Sequence, residues 1–500
     1  MVRILSFGDN PKLGKDNIFV SLWESFKSLS FFLRISILTG ILILVSIPFI
    51  VSNTQIFRPH AQVIYNTQTI NSGNWSDPSI WNTNTVPASS DNVKIGKDHT
   101  IVYDVLKEDI LGGISIEGTL KFSRTTDTRL KVGDNIIVEM GGFLDMGISS
   151  DPIPKTTKSE VIFVLTQAQA DAYVGGFGFE PTDKGLWAME GGRWEVYGAP
   201  LVRTWSKLAS DALAGATSLT VENNVSDWYV GGDVVVTTTN VALKVVRRDP
   251  SIGDAHVQTL EDEVRTITDI QQLPDGKTKL VVDKPLQFFH SGTNSPPGNL
   301  GKGEVGLLTR NVLITTDIIG VDETTLQSET GSLGRKFAHT MFMYGSKGNI
   351  QYAEFKYLGH FATLARYPIH PHQMLDTSRG MVIRGNAITY TGHHVMNIHE
   401  SNFVLAEDND AYNIAGSGYF VENDHGVDAA GNFTDLTPLG NISNTFIHNL
   451  GVGSIGYLNT PGMEADRTGM FWSMGNTVML GNVAVGGRGY GAHGFVGFPD

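Results

Sequence analysis

The sequence predicts an all-β protein with one membrane helix near its N-terminus and a right-handed parallel β-helix at its C-terminal end. Three observations carry this. Apolar residues alternate with polar ones over many short segments punctuated by glycine, 56 of them in 500 residues. Four later segments repeat one pattern, with an asparagine after an apolar pair or triplet. An uncharged stretch near the start is long enough to cross a bilayer. Bulk composition agrees: hydrophobic content is 41% and charged content 18%, as in a globular chain.

The net charge of −14 repels phosphate backbones and argues against nucleic acid as a partner. An anionic ligand would need a local basic patch or a bridging cation. The chain has no cysteine. Disulfides and cysteine-ligated zinc are therefore excluded, and the core must hold without cross-links.

Taken in order, residues 1–34 are short and mixed in charge and form a cytoplasmic segment. Residues 35–52, ISILTGILILVSIPFIVS, carry no charge and approach the ~17–25 residues that a spanning helix needs. Lys27 and Arg34 precede them, which keeps the N-terminus in the cytoplasm. The expectation is a single-pass anchor with the bulk of the chain outside the cytoplasm. A cleaved signal with secretion is the alternative, and a buried helix the third reading. Residues 53–70 read as a linker.

Residues 71–200 read as a β domain. Val93 and Ile95, Ile114 and Ile116, Leu120 and Phe122, and Ile136 and Val138 keep a period of two. Trp75 and Trp81 read as core aromatics. Residues 201–310 form a connecting β unit, with Leu219, Val221, Val234 and Val236 strand-like. Residues 311–500 form the β-helix. Its asparagines, at 386, 409, 449 and 482, follow strand-like runs at intervals of 23, 40 and 33, the longer two holding insertions. Asn suits a left-handed bend at a coil corner and can bond to its equivalents on the next coil. An ordinary β-sandwich is the competing reading. The absence of a polar cap after the last repeat suggests a piece of a longer protein.

Candidate chemistry gathers between Gly359 and Asn409, where five of the 14 histidines lie between His370 and His399. Extended polymers lie along the flat faces of such solenoids. His370 and His372 are two apart, so a strand would place them on one side. His393, His394 and His399 follow about one coil later. Arg366, His370, His372 and His399 are the catalytic candidates, with Tyr367, His393 and His394 for substrate binding. His393 and His394 alternate faces, so at most one of them acts. The bland reading of each residue is a satisfied turn histidine, a structural arginine or a solvated acid. Asp408 and Asp410 read as turn residues, and Tyr344, Tyr357 and Phe361 as core aromatics.

Two resemblances add to this reading. Trp75, Ser76, Asp77, Pro78 and Trp81, then Val86, Pro87 and Asp91, resemble the opening of the glycine-eight domain. RYPIHPH (366–372) resembles the RYPIHFH signature of the cell-surface hyaluronidases, the hyaluronan-hydrolysing group with cell-migration-inducing and type II transmembrane members. EVGLLTRNV (304–312), DNDAYNIAGSGYFVEN (408–423), NTFIHNLG (444–451) and FWSMGNTVMLGNVAVGGRGYG (471–491) are similar too. The chain departs from the family at Gly416-Ser417-Gly418, where a histidine is common, and at Asn423, where an acid is.

The resemblance implies cleavage of an extended acidic glycan, by hydrolysis or elimination, and a calcium ion. A hard cation wants oxygen ligands, and Asp376, Glu422 and Asp424 are the candidates. A non-catalytic glycan-binding adhesin and an envelope spacer are the rival expectations.

Overall fold

A computed structural model describes residues 64–173, 179–240, 243–249, 253–258, 261–293, 301–327, 335–361, 363–422, 443–454, 469–474, 477–486 and 490–495. The chain divides into two compact units, 1–62 and 63–500, and the described residues fall in the second. The uncharged stretch 35–52 and Asp424 lie outside them. Among the described residues no helix is long and apolar enough to cross a membrane.

The second unit is a parallel β-helix with three walls. The first wall is a 10-stranded sheet from Gly73–Asn74 to Thr477–Leu480. The second is a 9-stranded sheet from Leu106–Leu111 to Val483–Val485. The third comprises a 6-stranded and a 5-stranded sheet, joined by a parallel bridge between Phe342 and Pro371. Each chain segment pairs in parallel with its equivalent one coil away, so residues of one type stack in columns. Val, Ile, Leu and Phe side chains from all three walls fill one continuous core, with Trp75 and Trp81 inside it.

The walls run unbroken across residue 310. Arg193–Tyr197 pairs with Lys347–Gln351 on the first wall, and Ser159–Leu165 pairs with Val312–Ile318 on the second. Between these coils the chain leaves the helix and returns. Six strands between Trp205 and Leu307 form an antiparallel sheet with its own core around Trp228, Val234 and Leu280.

The repeated asparagines stack as the spacing predicts. The Asn386 amide donates to Asn409 Oδ1 (2.9 Å), Asn409 to Asn449 (2.8 Å) and Asn449 to Asn482 (2.9 Å). The left-handed bend, however, falls one residue earlier than expected, at Gly385, Asp408, His448 and Gly481, with φ of 68°, 54°, 55° and 62°. That bend turns the following side chain inward along the axis, where it bonds the next coil. Asp410 is not a turn residue. It lies in the strand Asp410–Ile414, fully buried, and pairs with Arg310 (3.1 Å).

Candidate functional site

The site is built on the third wall. Its strands there are β1 (Gly185–Ala188), β2 (His339–Phe342), β3 (His372–Leu375), β4 (Met396–Ser401) and β5 (Tyr419–Glu422). In β4, Met396 and Ile398 enter the core. Asn397 and His399 therefore face outward, since side chains alternate along a strand. His372 pairs with His399 and His399 with Glu422, which makes one outward column of the three. Ile369 bridges Met396, so His370 lies beside Asn397 in the neighbouring column.

The three catalytic-candidate histidines meet. Ring centroids are 4.9 Å apart for His370 and His372, 5.0 Å for His372 and His399, and 6.0 Å for His370 and His399. One ring nitrogen from each lies within 4.8 Å of the others. They are on one wall and outside the apolar interior, yet 0–2% exposed. The segment before β3 helps to cover them. Tyr367 sets its ring edge-on to His370 (4.7 Å) and His393 (4.4 Å), and stacks on His394 (5.1 Å). Met341, Trp187 and Ala365 join Tyr367 in a small outer cluster.

Arg366 is buried in an ion pair. Its Nε and Nη2 donate to both oxygens of Asp183 (2.6 and 2.9 Å), and both side chains are fully buried. The guanidinium lies over Trp187. The pair ties the 366–372 segment to the turn that leads into β1. His393 and His394 are likewise buried and held by neighbours. His393 Nδ1 accepts from the His394 amide (3.0 Å), His394 Nδ1 accepts from the Ser417 amide (2.9 Å), and His394 stacks on Phe420 (4.4 Å).

Of the calcium candidates, Asp376 is exposed and engaged by Asn402 (2.8 Å) and Arg379 (3.1 Å). Glu422 is half-buried and accepts from Asn397 (2.5 Å). Neither joins a metal-competent cluster among the described residues, where the three histidines form the one such group. Asp183 and Asn397 are additions that sequence reasoning missed. Asp183 lies far away in the chain with no local motif. Asn397 could have been found as the residue two before His399 on the same strand face.

Burial governs the protonation of the rings. It holds His370, His393 and His339 neutral well below the usual imidazole range, His360 down to about 4 and His394 down to about 3. Unfolded, such rings take up protons near 6.5. The stability that His360 and His394 contribute is therefore complete above that value. It is lost as pH falls through the folded values, at about 1.4 kcal/mol per pH unit per ring. Urea midpoints should fall steadily from about pH 6.5 to 4, and the double variant His360→Gln, His394→Gln should flatten that slope.

A separate open groove lies at the stacked turns of the first wall. Gly141, Gly191 and Gly345 form its floor with Phe143, Arg193 and Lys347. The last three are in register on successive coils. Tyr344 is 52% exposed beside Gly345 of this floor and is not a core aromatic, whereas Tyr357 and Phe361 are buried.

Comparison with known proteins gives two family matches, the G8 domain over residues 80–209 and the CEMIP beta-helix over residues 336–496. Fibrocystin-L of Mus musculus is 28% identical over 389 residues, 70% of this chain and 8% of its own length. Communication mutant protein F of Dictyostelium discoideum is 26% identical over 367 residues, 71% of this chain and 28% of its own. The chain thus spans less than a third of the length of either relative. A solved tailspike, Gp54 of Acinetobacter baumannii bacteriophage AP22, covers 83% of this chain and 70% of its own at 9% identity. Its TM-score of 0.17 is too low to bear on fold or function. The two family matches and the stacked walls lead to one conclusion: the chain belongs with the G8-domain proteins that carry a CEMIP-like β-helix.

Proposed function

We propose that this protein acts outside the cytoplasm on an extended acidic glycan of the hyaluronan kind, held to the membrane by residues 35–52. The observation that carries the reading is the meeting of His370, His372 and His399 on one wall, with the Glu422 carboxylate next in the column. Hydrolysis of a glycosidic bond needs one group to protonate the leaving oxygen and another to activate water. Glu422 would supply one such group and the histidine cluster the other. The elimination version loses its arginine, because Arg366 is spent on Asp183.

A second reading has its own observation. The groove over Phe143 offers Arg193 and Lys347 in line with the coil axis, a stripe suited to the carboxylates of a bound polymer. A glycan-binding adhesin would need only that.

The test is size-exclusion chromatography of hyaluronan, alginate and pectin after incubation with the full chain. Shortened polymer is expected with the natural sequence. The His370→Ala, His372→Ala variant should lose about 10²-fold or more of that activity. Polymer that co-elutes with the protein at unchanged length would replace the enzyme by the adhesin.

A further inference from the structure

We infer that His370, His372 and His399 form a nitrogen-donor site for a first-row transition dication of the zinc class, and not for calcium. The inference concerns the centre of the proposed glycan site but stands on its geometry alone. The three ring nitrogens converge within 4.8 Å of one another, from two coils in register. They are buried, so a bound ion would be held in a dry pocket.

The clearest sign is at His370. Its Nδ1 lies 3.1 Å from the Ala365 carbonyl oxygen. A carbonyl can only accept, so Nδ1 carries the proton and Nε2 carries the lone pair. That Nε2 is fully buried with no hydrogen-bond partner. An orphaned buried acceptor is costly, and a cation satisfies it. A backbone carbonyl that fixes the tautomer is also the usual outer support of a metal-binding imidazole.

Ligand chemistry decides the class. Calcium takes six to eight oxygen ligands, and this triad offers none. Imidazole suits zinc, copper, iron and nickel. Glu422, beside His399 in the column, is the carboxylate that would be in reach of a fourth position.

The experiment uses untagged full-length protein stripped with chelator, then offered Zn²⁺, Co²⁺ or Ca²⁺ alone. One equivalent of Co²⁺ should bind and give visible d–d absorption. Zn²⁺ should displace it and raise Tm by about 5 °C or more. His399→Gln should abolish the cobalt spectrum, with circular dichroism unchanged; His370→Gln is the second variant should the first misfold. The inference is overturned if Co²⁺ and Zn²⁺ fail to bind, if the cobalt spectrum survives both substitutions, or if Ca²⁺ competes for the same site. These readouts are spectral and thermal. Loss of the metal and failure to cut a glycan are therefore separate results.

Discussion

Arg366→Ala should lower the stability of the folded chain by about 3–5 kcal/mol, read as a fall in the urea midpoint followed by tryptophan emission. The pair it breaks is fully buried on both sides. Removing the guanidinium strands an Asp183 carboxylate in a site without water access. The Coulombic term disappears while the desolvation penalty stays. Trp187 lies against the guanidinium, so its emission should report the change directly. The paired replacement Arg366→Met, Asp183→Leu removes both charges and should recover most of the loss. If Arg366→Ala alone left the midpoint unchanged, the pair would not be what holds the histidine segment on its strand. The same single substitution should also displace His370, because Ala365, which fixes its tautomer, is the adjoining residue.

Asn409→Ala should cost a similar amount, about 3–5 kcal/mol in total. The amide of Asn409 donates to Asn449 Oδ1 (2.8 Å) and to the Ile383 carbonyl (2.9 Å). Its oxygen accepts from the Asn386 backbone (3.1 Å) and side chain (2.9 Å). Truncation leaves these groups short of partners in a buried column, each at about 1–3 kcal/mol before relaxation. Asn409→Asp should be worse, because a carboxylate accepts only and cannot donate to either oxygen. Asn482 is partly exposed at the end of the ladder, so Asn482→Ala should cost markedly less. Equal losses at both positions would mean that the ladder does not stabilise the coils.

The sequence made the coil legible where one residue type recurs at a fixed corner. Asn386, Asn409, Asn449 and Asn482 betray the stack because the same geometry is solved four times. Period-two alternation likewise placed Ile114, Leu120 and Ile136 in the core. The site was legible in part. His370, His372 and His399 come together because register is set by the coils. Their burial was not legible, since it depends on how the segment carrying Tyr367 folds back over them. Nor was the fate of Arg366, whose partner lies 183 residues away. A left-handed bend at Asp408 or His448 is invisible for a related reason. Neither residue type demands that conformation, and only the following asparagine gives it a purpose. Asp410 looked like a turn acid because its neighbours are polar. Its partner Arg310 lies 100 residues earlier in the chain, just after the inserted antiparallel sheet.

The unbroken walls bear on how this protein can be divided. The stretch matched as a β-helix, residues 336–496, begins at strands whose hydrogen-bonding partners are Gly185–Ala188 and Arg193–Tyr197. Excised alone, it would present three bare sheet edges, since Glu354–Lys356 also loses its partner Val312–Ile318, and such edges are ready to recruit other chains. Such a fragment should aggregate where the longer chain does not. The earlier coils act as its template and lid, so two segments recognised separately by sequence are one cooperative body.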